Sequence, residues 1–100
     1  MLRRARSAES NLMSEMRRSQ IARAILEYVH QHPEAQDTLA GISQWWLPEE
    51  MRTRSALVRD ALMELVAEGL ILEHKSKDAQ LHYRINSQRL KEIEEYLSKL

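Results

Sequence analysis

The clearest pattern of apolar and polar positions in this sequence lies between residues 52 and 86. Its first part repeats apolar residues at three- and four-residue spacing, at Leu57, Val58, Ala61, Leu62, Leu65 and Val66. This spacing places one apolar stripe along a helix, and Gly69 stands where a left-handed helix stop is favoured. Two short runs then alternate apolar and polar residues on either side of the segment KSKDAQ at 75–80. The alternation predicts two half-buried strands joined by a polar turn.

The same alternation predicts how the two strands pair. An even-numbered loop centred on Asp78 and Ala79 brings apolar residues opposite one another on one face of the hairpin. The expected pairs are Leu72–Ile85 and His74–Tyr83 on the inner face, with Glu73–Arg84 and Lys75–His82 on the outer face.

A second apolar stripe predicts a helix after residue 19. It consists of Ile21, Ala22, Ile25, Leu26 and Val29, and Ser19 is positioned to cap the helix. Residues 1–18 contain neither Gly nor Pro, and they are compatible with a basic arm or with a helix. If residues 8–18 are helical, we expect the two segments to be continuous. The predicted organisation is an arm or helix at 1–18, a central domain at 19–86 and a terminal helix at 87–100.

The segment between these stripes predicts a further helix, capped by Asp37 or Thr38 and ending near Leu47 before Pro48. Its apolar surface is expected from Leu39, Ile42, Trp46 and in part Trp45. Gly41 lies inside this helix, where glycine costs up to about 1 kcal/mol relative to alanine. We therefore expect another helix to approach closely at this glycine.

The terminal helix is predicted to begin with Ser87 as its cap. Its apolar positions Leu90, Ile93, Leu97 and Leu100 form a narrow seam of the kind found in coiled coils. Two heptads are too short for a free coiled coil. The seam is therefore expected either to pack on the domain or to join a second subunit.

The order helix, glycine, strand, polar turn and strand resembles the second half of a winged helix-turn-helix domain. The resemblance rests on SALVRDALMELVAEGLI at 55–71, which is similar to the third helix of that superfamily running into its wing. It implies a mainly α fold with a two-stranded β wing, the wing here being the hairpin at 70–86. It also implies that the third helix and the wing contact double-stranded DNA. The turn between the second and third helices, PEEMRTR at 48–54, is longer than in a compact helix-turn-helix.

Charge modifies this picture. The formal net charge is zero, whereas DNA-binding domains are commonly basic. Basic residues are nevertheless concentrated at the start of the third helix and on the wing. The candidate DNA-binding residues are Arg52, Thr53, Arg54, Ser55, Arg59, Lys75 and Lys77. Arginine at a helix start can contact phosphates or guanine edges in the major groove, while the alternative interpretation is exposed arginines paired with nearby acids.

A protein-interaction module of the same fold is the competing hypothesis. Trp45 and Trp46 are adjacent, so on a helix their side chains point about 100° apart. One is expected in the core and the other at a partner surface, because tryptophan is enriched at interface hot spots. The candidate interface residues are Trp45, Trp46, Leu90, Ile93, Leu97 and Leu100. Under either hypothesis we expect a homodimer or a partner protein, with a homodimer built from the terminal segments, in which Leu12 and Met16 of the amino-terminal segment also take part.

Other chemistry finds little support in the sequence. There is no cysteine, which excludes disulfides and thiol chemistry and favours a cytoplasmic protein. The pair His30 and His32 lacks the three or four convergent ligands of a zinc site. No phosphate-binding loop or nucleophile–base motif is present, and no apolar run approaches the roughly 20 residues of a membrane span. We therefore expect a non-enzymatic protein without cofactor, membrane anchor or small-molecule substrate.

Overall fold

The computed structural model describes the backbone of residues 2–99 and the side chains of residues 13–99. The chain is mainly helical and carries a small antiparallel sheet of three strands. The elements are α1 (Leu2–Gln31), β1 (Gln36–Asp37), α2 (Leu39–Gly41), a π-helical turn (Ile42–Trp46), α3 (Glu49–Arg52), α4 (Ser55–Ala67), β2 (Ile71–Lys75), β3 (Leu81–Ile85), a 3-10 turn (Ser87–Arg89) and α5 (Leu90–Ser98). The helix predicted as the third is therefore α4.

The first helix is continuous. It runs through Ser19, so this residue does not cap a helix start, and the alternative of one continuous helix is correct. The predicted stripe from Ile21 to Val29 is buried in the core. Met13 and Met16, which precede it on α1, are 52% and 57% exposed. Leu12, expected in a dimer contact, lies outside the described side chains.

The sheet has one strand more than predicted. Its order is β1-β3-β2, with Gln36 opposite Arg84 and Asp37 opposite Tyr83. The expectation of a two-stranded wing is therefore wrong. A two-residue strand of polar residues has no apolar alternation, so only its pairing with β3 defines it.

The hairpin register is shifted by one residue from the predicted one. Ile71 lies opposite Ile85, Glu73 opposite Tyr83, and His74 opposite His82. The loop has three residues, 77–79, closed by a 2.9 Å hydrogen bond from the Ser76 amide to the Gln80 carbonyl, and Ala79 has a φ of 67°. An odd-numbered loop with a left-handed residue replaces the even loop, which moves Leu72 and His74 to the outer face.

The second helical segment begins as predicted. The Thr38 hydroxyl accepts a hydrogen bond from the Gly41 amide at 3.2 Å. The segment continues as a π-helical turn to Trp46. The close neighbour of Gly41 is the side chain of Asp37, into which a Cβ at this position would run. Gly41 therefore accommodates a carboxylate of its own segment, and the expectation of a closely approaching helix is wrong.

The terminal helix packs on its own domain. Ser87 is not its cap: Asn86 caps the preceding 3-10 turn by accepting a hydrogen bond from the Gln88 amide, and α5 itself begins after Arg89 without a side-chain cap. Ile93 is fully buried and Leu97 packs against the core. The Arg23 guanidinium donates to the Leu97 carbonyl at 2.5 Å and holds the end of α5.

These contacts make Ile93 a core residue of its own chain, which corrects its assignment to an interface; Leu90 is 41% exposed, and Leu100 lies outside the described residues. Within the described range, no helix is both long and apolar enough to cross a bilayer.

Candidate functional site

An open groove lies between α2, the start of α4 and the tip of the β2–β3 hairpin. Its volume is about 860 Å³. The lining residues come from all three elements and from the turns beside them. They are Thr38, Leu39, Ala40, Ser43, Arg52, Ser55, Arg59, Met63, Glu73, Ala79, Gln80, Leu81 and Tyr83. The groove therefore lies between the predicted third helix and the hairpin that was predicted to be a wing.

The one-turn helix α3 ends at Arg52, which lines the groove. Pro48 precedes this helix, and Glu49 and Glu50 occupy its first turn. Acidic residues are favourable there because the amino-terminal end of a helix carries a partial positive charge. This turn fills the long connection that the sequence indicated. Arg54 then stands at the cap position of α4 without a side-chain hydrogen bond, and it is exposed to solvent.

Arg52 is held in place from one side. Its Nε donates a hydrogen bond to the Leu47 carbonyl oxygen at 3.3 Å. Arg59, one turn into α4, is exposed. Among the described side chains, neither arginine forms an ion pair. Both guanidinium groups therefore border the groove with their charge uncompensated by a direct carboxylate contact.

Tyr83 forms part of the groove wall and is 4% exposed. The pKa of Tyr83 is raised to about 12, chiefly by burial, and the neighbouring Glu73 carboxylate acts in the same direction. The positive charge of Arg59 acts in the opposite direction. These effects place Glu73, Tyr83 and Arg59 within electrostatic reach of one another.

The predicted DNA-binding residues divide into two groups. Arg52, Ser55 and Arg59 line the groove together, whereas Thr53 and Arg54 are exposed beside it without lining it. Lys75 and Lys77 are exposed on the hairpin and also lie outside the lining. Lys75 is directly opposite Leu81, so both residues belong to the hairpin face that borders the groove.

Sequence reasoning missed the apolar part of the groove. Leu39 and Leu81 carry the periodicity of core residues, yet Leu81 is 44% exposed. The alternation along β3 predicts that Leu81 lies on the same sheet face as Tyr83 and Ile85. It does not predict how far the helices cover that face. Glu73 was assigned to the outer face, and the shifted register brings it to the groove.

The two adjacent tryptophans have opposite environments. Trp46 is 6% exposed and belongs to the core, while Trp45 is 68% exposed. The prediction that one would be internal and one exposed is confirmed. Trp46 cannot serve as a surface contact in this fold, which corrects its assignment to an interface.

The histidines occupy ordinary surface contacts. His30 Nε2 lies 3.2 Å from Glu94 Oε2, and the rings of His74 and His82 stack with centroids 5.6 Å apart. Over the described side chains, no three histidine or acidic groups converge as a metal site requires.

Comparison of the chain with protein-family models, with curated proteins and with solved structures finds no match.

Proposed function

We propose that this protein is a winged helix-turn-helix DNA-binding protein, acting as a transcription regulator or as the DNA-reading subunit of a larger assembly. In this proposal α4 enters the major groove and the β2–β3 hairpin is the wing that contacts the backbone. Double-stranded DNA is the partner.

The observation that carries the proposal is the shared groove. Arg52 at the end of α3 and Ser55 and Arg59 at the start of α4 border the same open space as the hairpin tip at Ala79–Leu81. When the start of a helix and a neighbouring hairpin face the same side, the helix can enter the major groove while the hairpin contacts the adjacent phosphate backbone. The small Ser55 permits close approach of the helix, and the two arginines supply donors for guanine edges or phosphates.

Acidic residues set a limit on this interface. Glu49, Glu50, Asp60 and Glu73 lie on or beside the same elements. Carboxylates repel phosphates, so we expect moderate affinity that depends strongly on salt. Specific recognition then depends on the few arginines that reach base edges.

The test is fluorescence anisotropy of labelled duplexes, read across salt concentrations. Loss of one phosphate contact in Lys75→Ala should reduce the slope of log affinity against log salt by about 0.9. Arg59→Gln should cost about 1–3 kcal/mol at a preferred sequence and relax preference there. Lys91→Ala, an exposed lysine on α5, is the matched control and should change neither. Absence of salt-sensitive duplex binding by the wild-type protein contradicts the proposal.

A protein-interaction module is the second candidate, and the exposed Trp45 is the observation that favours it. A tryptophan with 68% of its surface exposed offers a large apolar contact of the kind that dominates interfaces. Trp45→Ala distinguishes the candidates. It should leave duplex binding intact if DNA is the partner, and it should abolish partner association if the protein is an adaptor.

A further inference from the structure

The groove has an apolar floor that contact with a DNA backbone does not require. Leu39 and Met63 reach it from the helices, and Leu81 reaches it from the hairpin. Leu81 lies on the sheet face that is buried further along at Tyr83 and Ile85. At Leu81 that face continues beyond the covering helices, and its leucine is 44% exposed. Covering this apolar surface with a ligand would be favourable, because it removes that surface from water.

Three charged side chains line the groove, and two of them, Arg52 and Arg59, are cationic. The Nε hydrogen bond from Arg52 to the Leu47 carbonyl restrains that side chain and leaves its terminal nitrogens available. Arg59, which follows Ser55 on α4, also lines the groove. The single acidic side chain of the lining, Glu73, lies directly opposite Tyr83 in the hairpin. The free hydrogen-bonding capacity of the groove therefore favours an anion with planar, paired acceptor oxygens.

We propose that this groove is a binding site for a small organic carboxylate with an apolar body. The Arg52 guanidinium binds the carboxylate through two parallel hydrogen bonds, and Arg59 adds positive charge. The aromatic or branched aliphatic body of the ligand packs on Leu39, Met63 and Leu81. A volume of about 860 Å³ lies within the range of roughly 300–1,000 Å³ that is typical of small-molecule sites. This site does not depend on the proposed DNA binding, although a ligand there would occupy two of the same arginines.

The experiment uses matched pairs of probes that differ only in charge. 4-Phenylbutanoate, 3-indolepropanoate and octanoate are each titrated into the full ¹⁵N-labelled chain, alongside their neutral amides, and amide shifts are followed by NMR. At least one acid should saturate shifts in residues 38–43, at Ser55 and in residues 81–83. Its amide should bind about tenfold more weakly or worse, because the charge-assisted bonds are lost.

Two arginine substitutions test the assigned contacts. Arg52→Gln should weaken binding of that acid by about tenfold or more. Arg84→Gln is the control, since Arg84 is exposed and pairs opposite Leu72 on the outer face of the hairpin. It should leave binding unchanged, and an unchanged spectrum away from each substitution verifies that both variants are folded.

The proposal is overturned if none of the three acids gives saturable shifts, or if the shifts map away from the groove. It is also overturned if each amide binds as well as its acid, because the groove is then merely apolar. No DNA is present in these titrations. A failure here therefore leaves the DNA proposal standing, and a failure to bind duplex leaves this one standing.

Discussion

Trp46 stacks on Tyr28, with ring centroids 5.0 Å apart and ring planes 12° from parallel. This contact joins the π-helical turn to α1. The chain has five aromatic residues and no phenylalanine, and this pair comprises two of the five. Aromatic pairs of this kind contribute about 0.5–1.5 kcal/mol beyond their burial.

Trp46→Ala should destabilise the protein severely. Removing a buried tryptophan costs about 3–5 kcal/mol, and a domain of this size has little stability to lose. Trp45→Ala is the matched control and should change the free energy of unfolding by about 0.5 kcal/mol or less, because its side chain is 68% exposed. Chemical denaturation followed by circular dichroism measures both. Equal large losses would show that Trp45 is also structural.

Ala79→Gly should stabilise the hairpin. Ala79 has a φ of 67°, a left-handed conformation that glycine adopts without the steric cost of a Cβ. We expect a gain of about 0.5–1 kcal/mol in the free energy of unfolding, reduced by the greater chain entropy of the unfolded glycine variant. Ala67→Gly on α4 is the opposite control, since glycine in a helix is destabilising. A loss of stability in both variants would contradict the assigned loop.

The stability of the protein should fall at alkaline pH, and Tyr83 should contribute to that fall. Its pKa in the folded state is raised to about 12 from the ordinary value of 10.0, chiefly by burial. Below pH 10 the phenol is protonated in both states, and its contribution is fully present. Between pH 10 and 12 the unfolded state releases the proton first, so stability declines. Tyr83→Phe should flatten this decline in denaturation experiments, and absorbance at the phenolate band should lose its most alkaline transition.

Tyr83→Phe needs a check on packing, because Tyr83 belongs to the core. At neutral pH the variant should retain its circular dichroism spectrum. An unchanged slope of stability above pH 10 would contradict the role assigned to this phenol.

A homodimer, if it forms, should use the exposed part of α1. The terminal seam is occupied within its own chain through Ile93, whereas Met13 and Met16 are more than half exposed on α1. The double substitution Met13→Glu and Met16→Glu should lower the mass measured by light scattering, because it places charges in an apolar contact. Leu90→Gln, at an exposed position of α5, should have no such effect. A wild-type chain that is monomeric at high micromolar concentration would contradict the dimer.

The buried stripe of α4 and the end of that helix at Gly69 could be predicted from the sequence, because helix periodicity and helix termination are local properties. Leu62 and Leu65 are fully buried, and Gly69 has a φ of 79°, as the spacing and the glycine predicted. The exposure of one tryptophan followed from the same reasoning, since neighbouring helical side chains diverge. Which of the two is internal depends on Tyr28, whose ring comes from another helix.

The register, the third strand and the groove were decided by tertiary structure. The register depends on the left-handed Ala79, a conformation that alanine rarely adopts and that no pattern in the sequence indicates. Strand β1 is defined by its pairing to β3 across more than 40 residues of chain. The groove likewise exists because α4 and the hairpin approach each other with Leu81 left uncovered. Local sequence determined the α4 helix and the two strands of the hairpin, while the position of the carboxylate-binding candidates Arg52 and Arg59 beside an apolar floor arose from packing between distant elements.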